Sequence, residues 1–225
     1  MIQRSLRYVL GTLVVVALIL GGGYWYLKRP APEPTLEQLT PADGAVMTRV
    51  TPGTTPKAQV LVAVNDDQKL SDKQLTTLSR SASAQIVQVI LPKDCLLQSR
   101  ALQAGLRELK GPATLVSGIG PGAVLAWRWL SEQKNDKAQA ISVDLALERP
   151  GGCTHLLPKS AAHGHWLVAW NDNPDDTSAG FVRDQPNAET SISDYDINLP
   201  QVLNNELRKI LVGGDKAAGL SLIHI

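Results

Sequence analysis

Two kinds of hydrophobic run alternate along the chain. Gln59 to Val64 (QVLVAV) is continuously apolar and β-branched, as strands buried on both faces of a parallel sheet are. Four comparable runs follow: Ile86 to Leu91 (IVQVIL), Ala113 to Val116 (ATLV), Ala138 to Leu145 (AQAISVDL) and Trp166 to Trp170 (WLVAW). Between most of them the apolar residues recur at helical spacing. Ser71 and Gln74 form a capping box ahead of Leu75, Leu78 and Ala82. Leu102, Leu106 and Leu109 share one face, as do Ala123, Ala126, Trp127 and Leu130. Val202, Leu203, Leu207, Ile210 and Leu211 stripe a last helix that Pro200 helps to start. This alternation predicts one α/β domain over residues 57–212, a mostly parallel sheet flanked by helices.

The ends of the chain follow other patterns. Residues 8–27 carry no charge and are long enough to cross a hydrocarbon core of about 30 Å, which predicts an N-terminal transmembrane helix within residues 1–29. Tyr24, Trp25 and Tyr26 suit an interfacial belt, and favour an uncleaved anchor over a signal peptide cut near Gly21, Gly22 and Gly23. A span followed by a long polar domain places that domain in the periplasm, tethered to the inner membrane. Residues 30–56, with Pro30, Pro32, Pro34, Pro41, Pro52 and Pro56, read as a spacer with room for a short edge strand near Ala45 to Val50. Residues 213–219 read as the start of a linker. Residues 220–225 (LSLIHI) resemble the forward translation of a sequencing adapter, which implies that the natural product continues beyond this point.

Composition narrows the function classes. Interspersed charges summing to +1 leave no basic field to release phosphate counterions, so nucleic acid is not an expected partner. Cys95 and Cys153 lack metal-ligand spacing but suit an exported domain, where they can oxidise to one bridge. His163-Gly164-His165 has no third ligand at a recognisable spacing, and Asn171 to Asp176 lacks the glycine and distal Glu of a calcium loop, so no metal or other cofactor is expected.

The informative motif is Gly118-Ile119-Gly120-Pro121-Gly122, where a strand meets the helix carrying Trp127. An α/β-hydrolase places its nucleophile at such a junction, in a strained turn of the form G-x-S-x-G. Here Gly120 replaces the nucleophile, which keeps the turn and removes the attacking oxygen. Asp172, Asp175 and Asp176 follow the Trp166 to Trp170 run near the acid position. No base follows: His155, His163 and His165 precede that run, and His224 lies in the adapter-like tail. Gly118, Gly120 and Ala123 also match the G-x-G-x-x-G/A dinucleotide fingerprint, with Asp144 as the ribose-binding acid. That loop follows the third long run rather than the first, which counts against it. A glycine turn with no ligand remains the plain alternative.

The stretches LVSGIGPGAVLAW (115–127), AISVDL (140–145) and HWLVAWNDNPDD through FVRDQPNAETSISDYD (165–196) resemble the bacterial VirJ/AcvB family. The resemblance implies two α/β-hydrolase-like domains in tandem behind an anchor or signal, with this chain similar to the first. It also implies hydrolysis of aminoacyl-phosphatidylglycerol by the full-length product, a membrane-lipid partner, and contact with the second, catalytic domain. The active domains of that family carry a Gly-Gly loop for the oxyanion, then Ser, Asp and His. This chain has Asn65-Asp66-Asp67, Gly120 and no downstream His, so no catalytic residue carries over. The competing reading is a non-enzymatic interaction module for envelope or type IV secretion proteins.

Overall fold

The structure is a computed structural model that describes residues 15, 16, 18, 32–40, 45–147, 163–192 and 197–212. Met1–Pro32 and Glu33–Ile225 are separate units. In the first, residues 15, 16 and 18 are helical, and the rest of the predicted span lies outside the described residues. No helix among the described residues is long and apolar enough to cross a membrane. The linker at 213–219 and the tail at 220–225 also lie outside them.

The second unit is built on one eight-stranded sheet of order β1-β2-β4-β3-β5-β6-β7-β8. The five apolar runs predict β3 (Ala58–Val64), β4 (Ala84–Ile90), β5 (Leu115–Ile119), β6 (Gln139–Val143) and β7 (His165–Trp170), and all five are central parallel strands. Three more strands complete the sheet. β1 (Thr35–Leu39) and β2 (Val46–Thr51) form an antiparallel pair, and β2 also runs antiparallel to β4. β8 (Ala188–Ile192) adds in parallel to β7. The strand expected near Ala45 to Val50 is β2, although it lies inside the sheet rather than at its edge, and β1 is a second strand in 30–56 that the spacer reading did not include. β1 and β8 escape the periodicity because an edge strand has one neighbour and tolerates polar residues, here TLEQL and AETSI. Arg49 fixes the outer pair by bonding Glu37 at 2.6 Å and Glu108 at 2.9 Å.

Helices α1 (Asp72–Ala82), α2 (Cys95–Arg107), α3 (Pro121–Ser131), α4 (Asp176–Arg183) and α5 (Leu199–Val212) cover the sheet. The capping box is formed: Ser71 accepts from the Gln74 amide, and the Gln74 side chain accepts from the Ser71 amide. Alternate residues of a strand point to opposite faces. Val60, Val62 and Val64 accordingly pack with Leu75 and Leu78 of α1 and Leu203 and Leu207 of α5. Leu61 and Ala63 pack in the second core with Leu102 of α2, Trp127 of α3 and Val182 of α4. In that core Trp127 stacks on Trp166 at 3.8 Å, and Phe181 meets both edge-on. Trp166 Nε1 donates to Ser142 Oγ at 2.9 Å, and Ser142 Oγ donates to the Ala123 carbonyl at 2.7 Å. These bonds pin β6 and β7 to the first turn of α3.

Candidate functional site

The turn from β5 into α3 is held by close backbone approach. A Cβ on Gly118 would lie 2.0 Å from the Gly122 carbonyl oxygen, and one on Gly122 would lie 2.0 Å from the Ala63 oxygen. Neither position accepts a side chain, because the atoms within 3 Å are backbone with nowhere to move. Between them Gly120 has φ 55 and ψ −114, a region that L side chains enter only with strain. Its amide donates to the Val143 carbonyl at 3.0 Å, and its carbonyl accepts from Ala123 at 3.1 Å. The turn thus has the tight, positive-φ backbone that a nucleophile turn uses, with no side chain at its tip.

One donor that such a site needs is missing too. An oxyanion hole of this kind uses the amide of the residue after the nucleophile and one from the loop after β3. The residue after Gly120 is Pro121, which has no N–H. The loop after β3 enters a 3-10 turn at Asp66–Gln68, with Asp66 and Asp67 exposed and Lys69 bonded to Asp66 at 2.9 Å. Its side chains include two carboxylates, and it has no paired glycines. Pro121 could have been recognised in the sequence, as a ring in the place of a required amide.

Beyond β6 and β7 the chain forms a clasp. Asp144, in left-handed conformation at φ 51, accepts from the Asn171 amide at 2.9 Å and from Asn171 Nδ2 at 2.7 Å. Asn171 Oδ1 in turn accepts from the Ile197 amide, which lies between β8 and α5 where a hydrolase carries its histidine. Each Asp144 carboxylate oxygen thus accepts one hydrogen bond from Asn171. Asp175 is the N-cap of α4: it accepts from the Ser178 amide at 2.8 Å and Ser178 Oγ at 2.7 Å, and Ser178 Oγ accepts from Leu147 at 2.9 Å. Asp176 is exposed in the first turn of α4 and Asp172 is exposed before it. The aspartates near the acid position thus include a cap and two solvated groups, and the clasp at Asp144 and Asn171 lay outside the sequence reading.

The described histidines sit at the other end of β7. His163 Nδ1 lies 2.7 Å from Asp136, and His165 Nε2 lies 3.3 Å from Glu189. Parallel strands carry both away from Gly120, which stands at the far end of β5. His155 lies outside the described residues, as does His224. Cys95, at the start of α2, is disulfide-bonded, and Cys153 lies outside the described residues. Among the described residues no group of three or more His, Cys, Asp or Glu could hold a metal ion.

No family model matches the chain, and no curated protein matches it. Solved structures do. The Francisella virulence factor BioJ superposes with a TM-score of 0.54 at 13% identity, covering 93% of this chain and 92% of its own. An α/β serine hydrolase homologue from Coxiella burnetii gives 0.54 at 16%, over 81% and 99%. A membrane phospholipase A described as a bacterial virulence factor gives 0.54 at 11%, over 94% and 99%. At these identities the likeness is one of fold: the chain has the architecture of an α/β hydrolase.

Proposed function

We propose that this domain is a non-catalytic α/β-hydrolase-fold module, the first half of a membrane-anchored periplasmic protein of VirJ/AcvB type. In this reading the full-length product hydrolyses aminoacyl-phosphatidylglycerol with a serine outside the present chain. This half docks against the catalytic half or orients it at the bilayer. The observation that carries the proposal is the turn at Gly120, whose backbone is retained while its nucleophile and the following amide are both gone. A preserved frame with no chemistry suits a scaffold better than an enzyme.

A fluorophosphonate probe and a p-nitrophenyl ester test the claim for this chain. Neither labelling nor turnover above buffer is expected, and covalent labelling of any serine would overturn it. The full-length reading is tested on the complete gene. Mutation of a downstream G-x-S-x-G serine should abolish release of the amino acid from the lipid, and a complete gene lacking any such serine sinks this part alone.

A further inference from the structure

Away from the turn at Gly120, α2 and α3 enclose a groove of about 510 Å³ whose lining includes Arg100, Arg107 and Arg128. Glu132 is the one carboxylate among the described lining residues. It lies 3.7 Å from Arg128 Nε, a loose pairing, while buried Arg128 Nη1 has no hydrogen-bond partner among the described residues. Arg100 and Arg107 are exposed and likewise have no ion-pair partner among the described residues. Arg107 and Arg128 stand in last turns, where a cation complements the helix dipole. That accounts for two of the three arginines and not for Arg100, in mid-helix.

The outer face of α2 adds a second property. Leu96, Arg100, Gln103 and Arg107 follow one another at helical spacing along a single exposed stripe. At its N-terminal end Leu96 is 71% exposed and Leu97 is 38% exposed. Guanidinium groups pair with phosphate oxygens through two parallel hydrogen bonds, and bare leucines beside them suit a surface that offers hydrocarbon next to phosphate. A free phosphate ester supplies only the first of these.

We propose that the α2–α3 groove seats the phosphate of an anionic phospholipid headgroup, with Leu96 and Leu97 dipping into the adjoining leaflet. Arg100, Arg107 and Arg128 supply the donors. Leu102 and Trp129 form the apolar side of the groove. The site is separate from Gly120 and stands whether or not that turn is inert.

The test mixes the full chain with vesicles of phosphatidylcholine, alone or carrying about a quarter phosphatidylglycerol, and follows amide hydrogen exchange of residues 96–107. Any contribution of the apolar run at 8–27 is shared by both vesicle types and is not read at α2. Exchange should slow with the anionic vesicles only. Arg100→Gln should weaken the lipid titration about fivefold, as expected for one basic residue at an anionic surface. Because Arg100 is exposed, this variant keeps the fold, and a Leu96→Ser, Leu97→Ser double variant tests the apolar half. Equal protection by both vesicles, or an unchanged titration with Arg100→Gln, overturns the proposal. Equal protection by inorganic phosphate without lipid overturns the phospholipid assignment.

Discussion

Gly120 and Gly122 stand two residues apart, yet their replacement should fail for different reasons. At Gly122 the obstacle is space. A Cβ there would lie 2.0 Å from the Ala63 oxygen and 2.9 Å from its carbon, so α3 must move off β3 by more than about 1 Å to restore ordinary contact. That shift loosens the packing of Ala123, Ala126, Trp127 and Leu130, all fully buried or nearly so. A radial gap of that size forfeits a quarter to a half of each contact, which puts Gly122→Ala on the order of 4 kcal/mol or more. At Gly120 the obstacle is conformation alone, and φ 55 with ψ −114 costs a side chain about 1–3 kcal/mol. Gly120→Ser should therefore fold, with Tm lowered by roughly 2–12 °C for a domain of this size. Urea titrations followed by the fluorescence of Trp127 and Trp166 measure both variants. If Gly122→Ala proved less costly than Gly120→Ser, the close-approach account of the turn would be wrong. The same serine variant should remain inert toward p-nitrophenyl esters, because Pro121 provides no oxyanion donor.

Three further substitutions probe the groups around the turn. Asn171→Asp sets a second carboxylate against Asp144 and raises the pKa of one of the two in the folded variant. A raised carboxyl pKa gives stability that is lost as pH rises, so the variant should be closest to wild type near pH 4. It should lose about 1.4 kcal/mol by neutral pH for each unit of that rise, and urea midpoints that do not depend on pH would contradict the clasp. Ser142→Ala leaves the buried Trp166 Nε1 without its acceptor and should cost about 1–3 kcal/mol in the same titration, whereas a neutral effect would show that the bond contributes nothing net. Asp175→Ala removes the α4 cap and should cost about 1–2 kcal/mol, read as a lower Tm; full retention of Tm would return Asp175 to the candidates for chemistry.

The parallel core was legible because a strand buried on both faces is mostly apolar, and β3 to β7 are so apart from a few buried polar residues such as Gln88, Ser117 and Ser142. The capping box at Ser71 and Gln74 was legible because both partners lie within one turn. β1 and β8 were not, since an edge strand takes its place from a neighbour rather than from its own composition. The turn at Gly120 could be read from its glycines, but its true deficit includes Pro121, whose meaning depends on which amide the reaction needs. Asp144 and Asn171 were beyond reach for a different reason. They stand 27 positions apart, and nothing local marks a pair that only the β6–β7 register brings together. Asp175 shows the converse: an aspartate in a suggestive place whose partners are the Ser178 amide and hydroxyl one helical turn on.

The clasp through Asp144, Asn171 and Ile197 also bears on what evolution can do with this chain. Restoring any one group of a hydrolase site here leaves the others as they are. A serine at position 120 brings strain, and the described histidines, His163 and His165, stand at the other end of the sheet. An aspartate at 171 faces another carboxylate and gives up the amide that holds Asp144. Replacing Pro121 restores a donor for an oxyanion that nothing yet generates. The clasp thus ties three segments of the chain, after β6, after β7 and before α5, so that a change at any one of them is felt at the other two.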